Sequence, residues 1–119
     1  MARIVLAEDD STMVGLLATL LRMDGFEVEA VGRDENVADS VERLRPDALI
    51  MDMVLPGQNG LELLERIRAT ERGADVYIIM MSGLSAREDC LRRGADDFLL
   101  KPFMPEELVG MLHARLQAG

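Results

Sequence analysis

Three segments, Ile4 to Ala7, Ala48 to Met51 and Val76 to Met81, are apolar without alternation. That is how strands buried on both faces of a parallel sheet read. By contrast, Phe26 to Val31 alternates apolar and acidic residues, and Phe98 to Leu100 is short and stops at Lys101-Pro102. Both patterns suit sheet edges. Helical periodicity fills the gaps. Met13, Leu16, Leu17, Leu20 and Leu21 recur at three- and four-residue spacing before Gly25, and Val37, Val41 and Leu44 do so before Pro46. Leu61, Leu64 and Ile67 line a third helix, with Asn59 as its N-cap and Gly73 closing it. A fourth runs from Ala86 to Arg93 and stops at Gly94; the last runs from Pro105 to Gln117 on Leu108, Met111, Leu112 and Leu116.

Strand and helix alternate five times, which implies an α/β fold with a doubly wound parallel sheet, helices on both faces and right-handed crossovers. The flavodoxin-like order 2-1-3-4-5 is carried over from known doubly wound sheets. The pattern supports it, because it puts the alternating second strand and the short fifth strand at the edges.

The chain of 119 residues is 49% hydrophobic and 29% charged, a globular balance that fits a single domain over residues 1–119. A net charge of −9 repels phosphate backbones and anionic membranes, so direct nucleic-acid or membrane binding is not expected. The single cysteine, Cys90, cannot form a disulfide within the chain, which points to the reducing cytoplasm. The apolar run at the N-terminus is too short for a signal peptide or a membrane span. All basic residues are arginine except Lys101.

In open α/β sheets ligands bind beyond the carboxyl ends of the strands, near the switch point between strands one and three. Strand one ends in Glu8-Asp9-Asp10, strand three in Asp52, strand four in Ser82 and strand five in Lys101. Several carboxylates therefore converge with one hydroxyl and the lone ammonium. Carboxylates so close raise one another's pKa, and a hard divalent cation relieves the crowding. Mg²⁺ takes such oxygen ligands and commonly accompanies phosphate. Asp10 reads as the N-cap of the first helix and not as a ligand. The nine methionines read mainly as core filler. Cys90 and His113 read as helix-surface residues without a catalytic constellation, and Gly57 to Gly60 reads as a turn.

Glu8-Asp9, Asp52 with Pro56 four residues on, Ser82-Gly83 and Lys101-Pro102 form an ordered set at four strand ends. The set resembles the receiver domain of two-component response regulators, over Arg3 through Leu116. The resemblance implies that Asp52 is the phosphoacceptor, which attacks the phosphorus of a phosphohistidine on a sensor histidine kinase or phosphotransfer protein. It further implies that Asp9 and Asp52 bind Mg²⁺ directly, with Glu8 acting through water and Val54 giving its backbone carbonyl. Lys101 is implied to pair with the phosphoryl oxygens, Ser82 to hydrogen-bond one of them, and Ser82 with Phe98 to form a switch acting on the helix 4, strand 5 and helix 5 surface. The resemblance also implies that Val54 and Leu84, two residues past Asp52 and Ser82, flank the approach of hydrolytic water, and their apolar side chains then predict slow loss of the phosphoryl group.

A rival is a haloacid-dehalogenase-like phosphatase working through an aspartyl-phosphate. Such an enzyme needs a general-acid aspartate two residues after its nucleophile, where this chain has Val54. A phosphoacceptor and not a turnover enzyme is therefore expected. No room for a DNA-binding domain is expected within these residues, so output passes to a downstream protein or effector domain. Gly94 to Leu108 resembles receivers of winged-helix transcription factors, which pair through intersubunit salt links. Arg87 and Glu107 match one such link. Met111 and Ala118, however, stand where arginines would meet Asp97 and Asp96. A monomer or a weak phosphorylation-dependent dimer is expected.

Overall fold

The computed structural model describes residues 1–32 and 34–116. Ten main elements alternate: β1 (Arg3–Ala7), α1 (Ser11–Met23), β2 (Glu27–Val31), α2 (Val37–Leu44), β3 (Ala48–Asp52), α3 (Gly60–Arg68), β4 (Tyr77–Ser82), α4 (Arg87–Arg92), β5 (Asp97–Leu100) and α5 (Pro105–Leu116). The five strands pair in parallel in the order β2-β1-β3-β4-β5, as the edge patterns suggested. Each strand lies within a residue or so of its expected span. The end expected for the last helix at Gln117, and Ala118, fall outside the described residues.

The central strands lack alternation because both faces are covered. One face packs Val5, Leu49, Met51, Ile78 and Met80 against Val41, Leu64, Ile67 and Cys90, beneath α2, α3 and α4. The other packs Ile4, Leu6, Ile50, Ile79 and Met81 against Leu17, Leu21, Leu108 and Leu112, beneath α1 and α5. Burying one such leucine contributes about 1.5–3 kcal/mol, which is how short helices are held on the sheet. At the exposed edge β2 carries Glu27 and Glu29 outward, charges that discourage edge-to-edge pairing.

Side-chain oxygens start the helices. Asp10 accepts from the Thr12 and Met13 amides at 3.0 and 3.1 Å, so it caps α1, as expected. Asn59 caps α3 in the same way through Leu61 and Glu62, and Asn36 caps α2 through Asp39. α4 starts at Ala86 with no side-chain cap and is the shortest helix described. Gly25, past the end of α1, takes the left-handed φ of +96°.

Three expectations need correction. Cys90 does not lie on a helix surface; it is fully buried against the sheet, because α4 is too short for its period to show which side faces inward. Gly73 does not close α3, which ends at Arg68 with Ala69 as its C-cap; it follows a further turn, where a Cβ would fall 1.9 Å from the Ile67 carbonyl oxygen. The segment expected as a bare turn forms a short antiparallel ladder, Val54–Leu55 against Gln58–Asn59, around Gly57 at φ +70°. His113 is half-exposed on α5, as expected, and pairs with Asp24 at the end of α1.

Candidate functional site

The carboxyl ends of β1, β3, β4 and β5 bring Glu8, Asp52, Ser82 and Lys101 together. Strand register puts Asp52 beside Met81 and Ser82 beside Leu100, and the Lys101 amide donates to the Ser82 carbonyl at 2.8 Å. Asp52 is only 6% exposed. One of its oxygens accepts the Val54 amide at 2.8 Å and the other pairs with the Lys101 ammonium. Lys101 also pairs with Glu8, whose second oxygen accepts the Asp9 and Asp10 amides at 2.8 and 3.1 Å. The single lysine thus bridges two buried acids. The Ser82 hydroxyl is buried and accepts the Leu84 amide at 3.0 Å, which leaves its own proton to donate.

Asp9 stands exposed beside this group, while Val54 and Leu84 each present an apolar side chain that is 71% exposed. Phe98 is packed inward, opposite Met80, in the core beneath α4. The site joins Glu8 and Asp52 through Lys101, with Ser82 on the neighbouring strand end and Asp9 exposed next to Glu8; Phe98 lies behind it.

Burial pushes the Glu8 carboxyl up from its ordinary value, the Lys101 hydrogen bond pulls it back in part, and Asp52 raises it again. Burial likewise works against the Lys101 charge, but its bonds to Asp52 and Glu8 outweigh that and hold its pKa above the usual lysine value. Glu8 is thus raised chiefly by burial, and Lys101 by its two acidic partners. The available donors, carboxylates of Glu8, Asp9 and Asp52 with the Val54 carbonyl, are hard oxygens and fit Mg²⁺. Among the described residues no three acidic, His or Cys side chains stand ready as a ligand group. Lys101 instead holds two of the acids together.

Gly60 explains why α3 starts where it does. A Cβ there would lie 2.5 Å from the Met53 carbonyl and 2.8 Å from that of Asp52, so only glycine lets the helix begin against the acceptor strand. Gln58 went unnoticed in the sequence. Its amide accepts from Val37 at 3.3 Å and donates to the Glu35 carbonyl at 3.0 Å. A glutamine in a presumed turn carries no signal of so distant a partner.

Residues 4–113 match the family described as the response regulator receiver domain. The chain belongs to that family. The receiver is 36% identical over 118 residues to the DNA-binding response regulator MtrA of Mycobacterium tuberculosis, covering 97% of this chain and 50% of that one. It spans about half the length of the curated relatives it matches. Among solved structures, it is 34% identical, at a TM-score of 0.85 and 98% coverage of both chains, to the receiver domain of sensor histidine kinase PA1611 from Pseudomonas aeruginosa. That structure is described with a magnesium ion coordinated in the active site cleft. A response regulator from Chloroflexus aurantiacus is 33% identical at a TM-score of 0.88, with 98% of both chains covered. The receiver is therefore a two-component signalling module. The dehalogenase-like reading is not favoured. No helix among the described residues is long and apolar enough to cross a membrane.

Proposed function

We propose that residues 1–119 form one receiver domain that accepts a phosphoryl group on Asp52 from a phosphohistidine of a sensor histidine kinase or phosphotransfer protein. The observation that carries this reading is a nearly buried carboxylate at the switch point, with an ammonium on one oxygen and a backbone amide on the other. An Asp52 oxygen bonds to phosphorus as the P–N bond breaks, and the imidazole leaves with the electron pair and regains a proton. Lys101 passes from the carboxylate to the phosphoryl oxygens, and the Ser82 hydroxyl donates to another of them. Phosphoryl transfer asks mainly for such positioning and charge. Asp9, Asp52 and the Val54 carbonyl would hold a Mg²⁺, with Glu8 acting through water, and the ion would supply the remaining positive charge.

The charged state is passed on through α4, β5 and α5 to a downstream protein or effector domain. Ser82 and Phe98 form the switch, whose two arrangements are biased by the phosphoryl group. The uncapped, short α4 supports this, since little local bonding resists its shift. The protein works in the cytoplasm as a phosphoacceptor, and as a monomer or a weak phosphorylation-dependent dimer. Asp96 and Asp97 already have partners within the chain in Arg68, Arg115, Tyr77 and Arg87, which speaks against a dimer held by those two acids. Incubation with acetyl phosphate and Mg²⁺, read by intact mass, should add one phosphoryl group, and Asp52→Asn should add none. An Asp52→Asn protein that labels at the native rate overturns the assignment.

A further inference from the structure

The loop after Asp52 has to hold the Val54 carbonyl at a fixed distance from Glu8 and Asp9, which stand on a different strand end. At the strand ends the β1–β3 pairing up to Ala7 and Met51 and the Lys101 bridge between Glu8 and Asp52 tie the two sides, but the loop beyond Asp52 bonds to its own side. The Val54–Leu55 ladder closes on Gln58–Asn59, Gly60 bonds back to Met53, and Met53 bonds to Met81, so every one of those contacts belongs to the β3–β4–α3 side. The half-buried Gln58 side chain reaches across instead. It inserts between two main-chain groups at the start of α2, accepting the Val37 amide at 3.3 Å and donating to the Glu35 carbonyl at 3.0 Å.

The first turn of a helix leaves amides without intrahelical partners. Asn36 satisfies that of Asp39, and Gln58 satisfies that of Val37 from a separate element. Only an amide side chain of this length both accepts and donates there; leucine would fill the space and make neither bond. Leu55, Pro56 and Gln58 form one wall of a cleft of about 10 Å³, with Glu8 and Asp9 on another and Gly32 and Val37 on a third. The clamp to α2 therefore adds a tie on the α2 side of this cleft to those that the β1–β3 pairing and Lys101 already make.

We propose that Gln58 is a positioning residue: its amide ties the acceptor loop to α2 and so fixes the separation across which Asp9 and the Asp52–Val54 segment share a divalent cation. This rests on the Mg²⁺ reading above. Partners that orient metal ligands without touching the metal change affinity by about tenfold or more when lost. The clamp acts on the ligands' spacing and not on the phosphoryl group. Its loss should therefore appear in the cation requirement and not in the rate at saturation.

The test compares the native chain, Gln58→Leu and Asn36→Ala, the last weakening α2 by its cap while leaving the clamp in place. Amide hydrogen exchange without metal is read first, then Mg²⁺ titration by calorimetry and by labelling with acetyl phosphate. In Gln58→Leu, the amides of Val54, Leu55 and Asn59 should exchange faster and half-saturating Mg²⁺ should rise about tenfold, with the saturated labelling rate within about twofold. Asn36→Ala should lower the melting temperature without moving half-saturation. Unchanged exchange in Gln58→Leu overturns the clamp. Faster exchange with unchanged half-saturation, or an equal rise in Asn36→Ala, overturns its positioning role. If the native chain neither binds Mg²⁺ nor labels, the Mg²⁺ reading falls, and the positioning role falls with it.

Discussion

The two ends of the same sheet hold two charge clusters built to opposite rules. At the amino end of β4 and β5, Arg68 donates to the carbonyls of Gly94, Gly73 and Val76 at 2.6–2.8 Å and to Asp96 at 2.7 Å. Asp96 also accepts the Ile78 amide and faces Arg115, whose guanidinium lies 4.7 Å from the Tyr77 ring centre; Tyr77 bonds Asp97, which faces Arg87. Every charge there has an opposite neighbour. At the carboxyl end Glu8 and Asp52 share Lys101, so two buried acids meet one cation, and burial first of all pushes Glu8 up in pKa. The first cluster has the local balance of a structural device. The second holds more acids than cations, which suits the cation and phosphoryl group proposed to bind there.

Removing a central member of each cluster is the strongest way to break this contrast. Arg68→Ala strands several carbonyls and the part-buried Asp96, and is expected to destabilise the fold by about 3 kcal/mol. Urea unfolding measures that loss. The folded fraction should still accept a phosphoryl group at the native rate. A variant of native stability with impaired labelling would show instead that the amino-end cluster belongs to the function.

The next effect concerns the mouth of the site. Val54 and Leu84 are each 71% exposed and flank Asp52 and Ser82 with apolar surface, so neither can hydrogen-bond a water aimed at phosphorus. Orienting one water is worth roughly one to two powers of ten in rate, or about 1.4–2.8 kcal/mol of barrier. Val54→Asn and Leu84→Glu should speed loss of the phosphoryl group by that factor, measured on purified phosphorylated protein with Mg²⁺. If neither does, the apolar rim does not govern the signal's lifetime, and charge imbalance alone distinguishes the two ends.

The difference between the clusters also explains what could be read in advance. Asp52, Ser82 and Lys101 follow apolar runs that declare themselves as buried strands, and a parallel sheet must bring such ends together, so the site was legible from order along the chain. Arg68 and Gln58 act through main-chain carbonyls and amides 5 to 26 and 21 to 23 residues away. Main-chain partners leave no mark in the sequence, because every residue carries the same groups. Cys90 failed for a related reason: α4 has six residues, too few turns for an apolar face to repeat. Strand patterns are local; clamps are not.

The smallest expected effect tests the imbalance itself. Glu8 is buried with its pKa raised, first by desolvation and then by Asp52, so its ionised form is less favoured in the fold than in the unfolded chain. The stability this group contributes is complete below its unfolded value of 4.5 and is lost as pH rises through the higher folded value. The metal-free protein should therefore lose ground to Glu8→Gln as pH rises above 4.5. The amino-end cluster should not take part. Tyr77 there is pushed to about 12 by burial and then by Asp97, so its contribution holds until the solution is strongly alkaline. Lys101, also raised, keeps its contribution below the usual lysine value of 10.5. Between those limits the difference between native and Glu8→Gln melting curves isolates one carboxylate. Added Mg²⁺ should narrow it by stabilising the native chain more than the variant. A gap independent of pH, or one that widens with Mg²⁺, would mean that Lys101 already balances Glu8 and that the carboxyl end of the sheet is no more short of positive charge than the amino end.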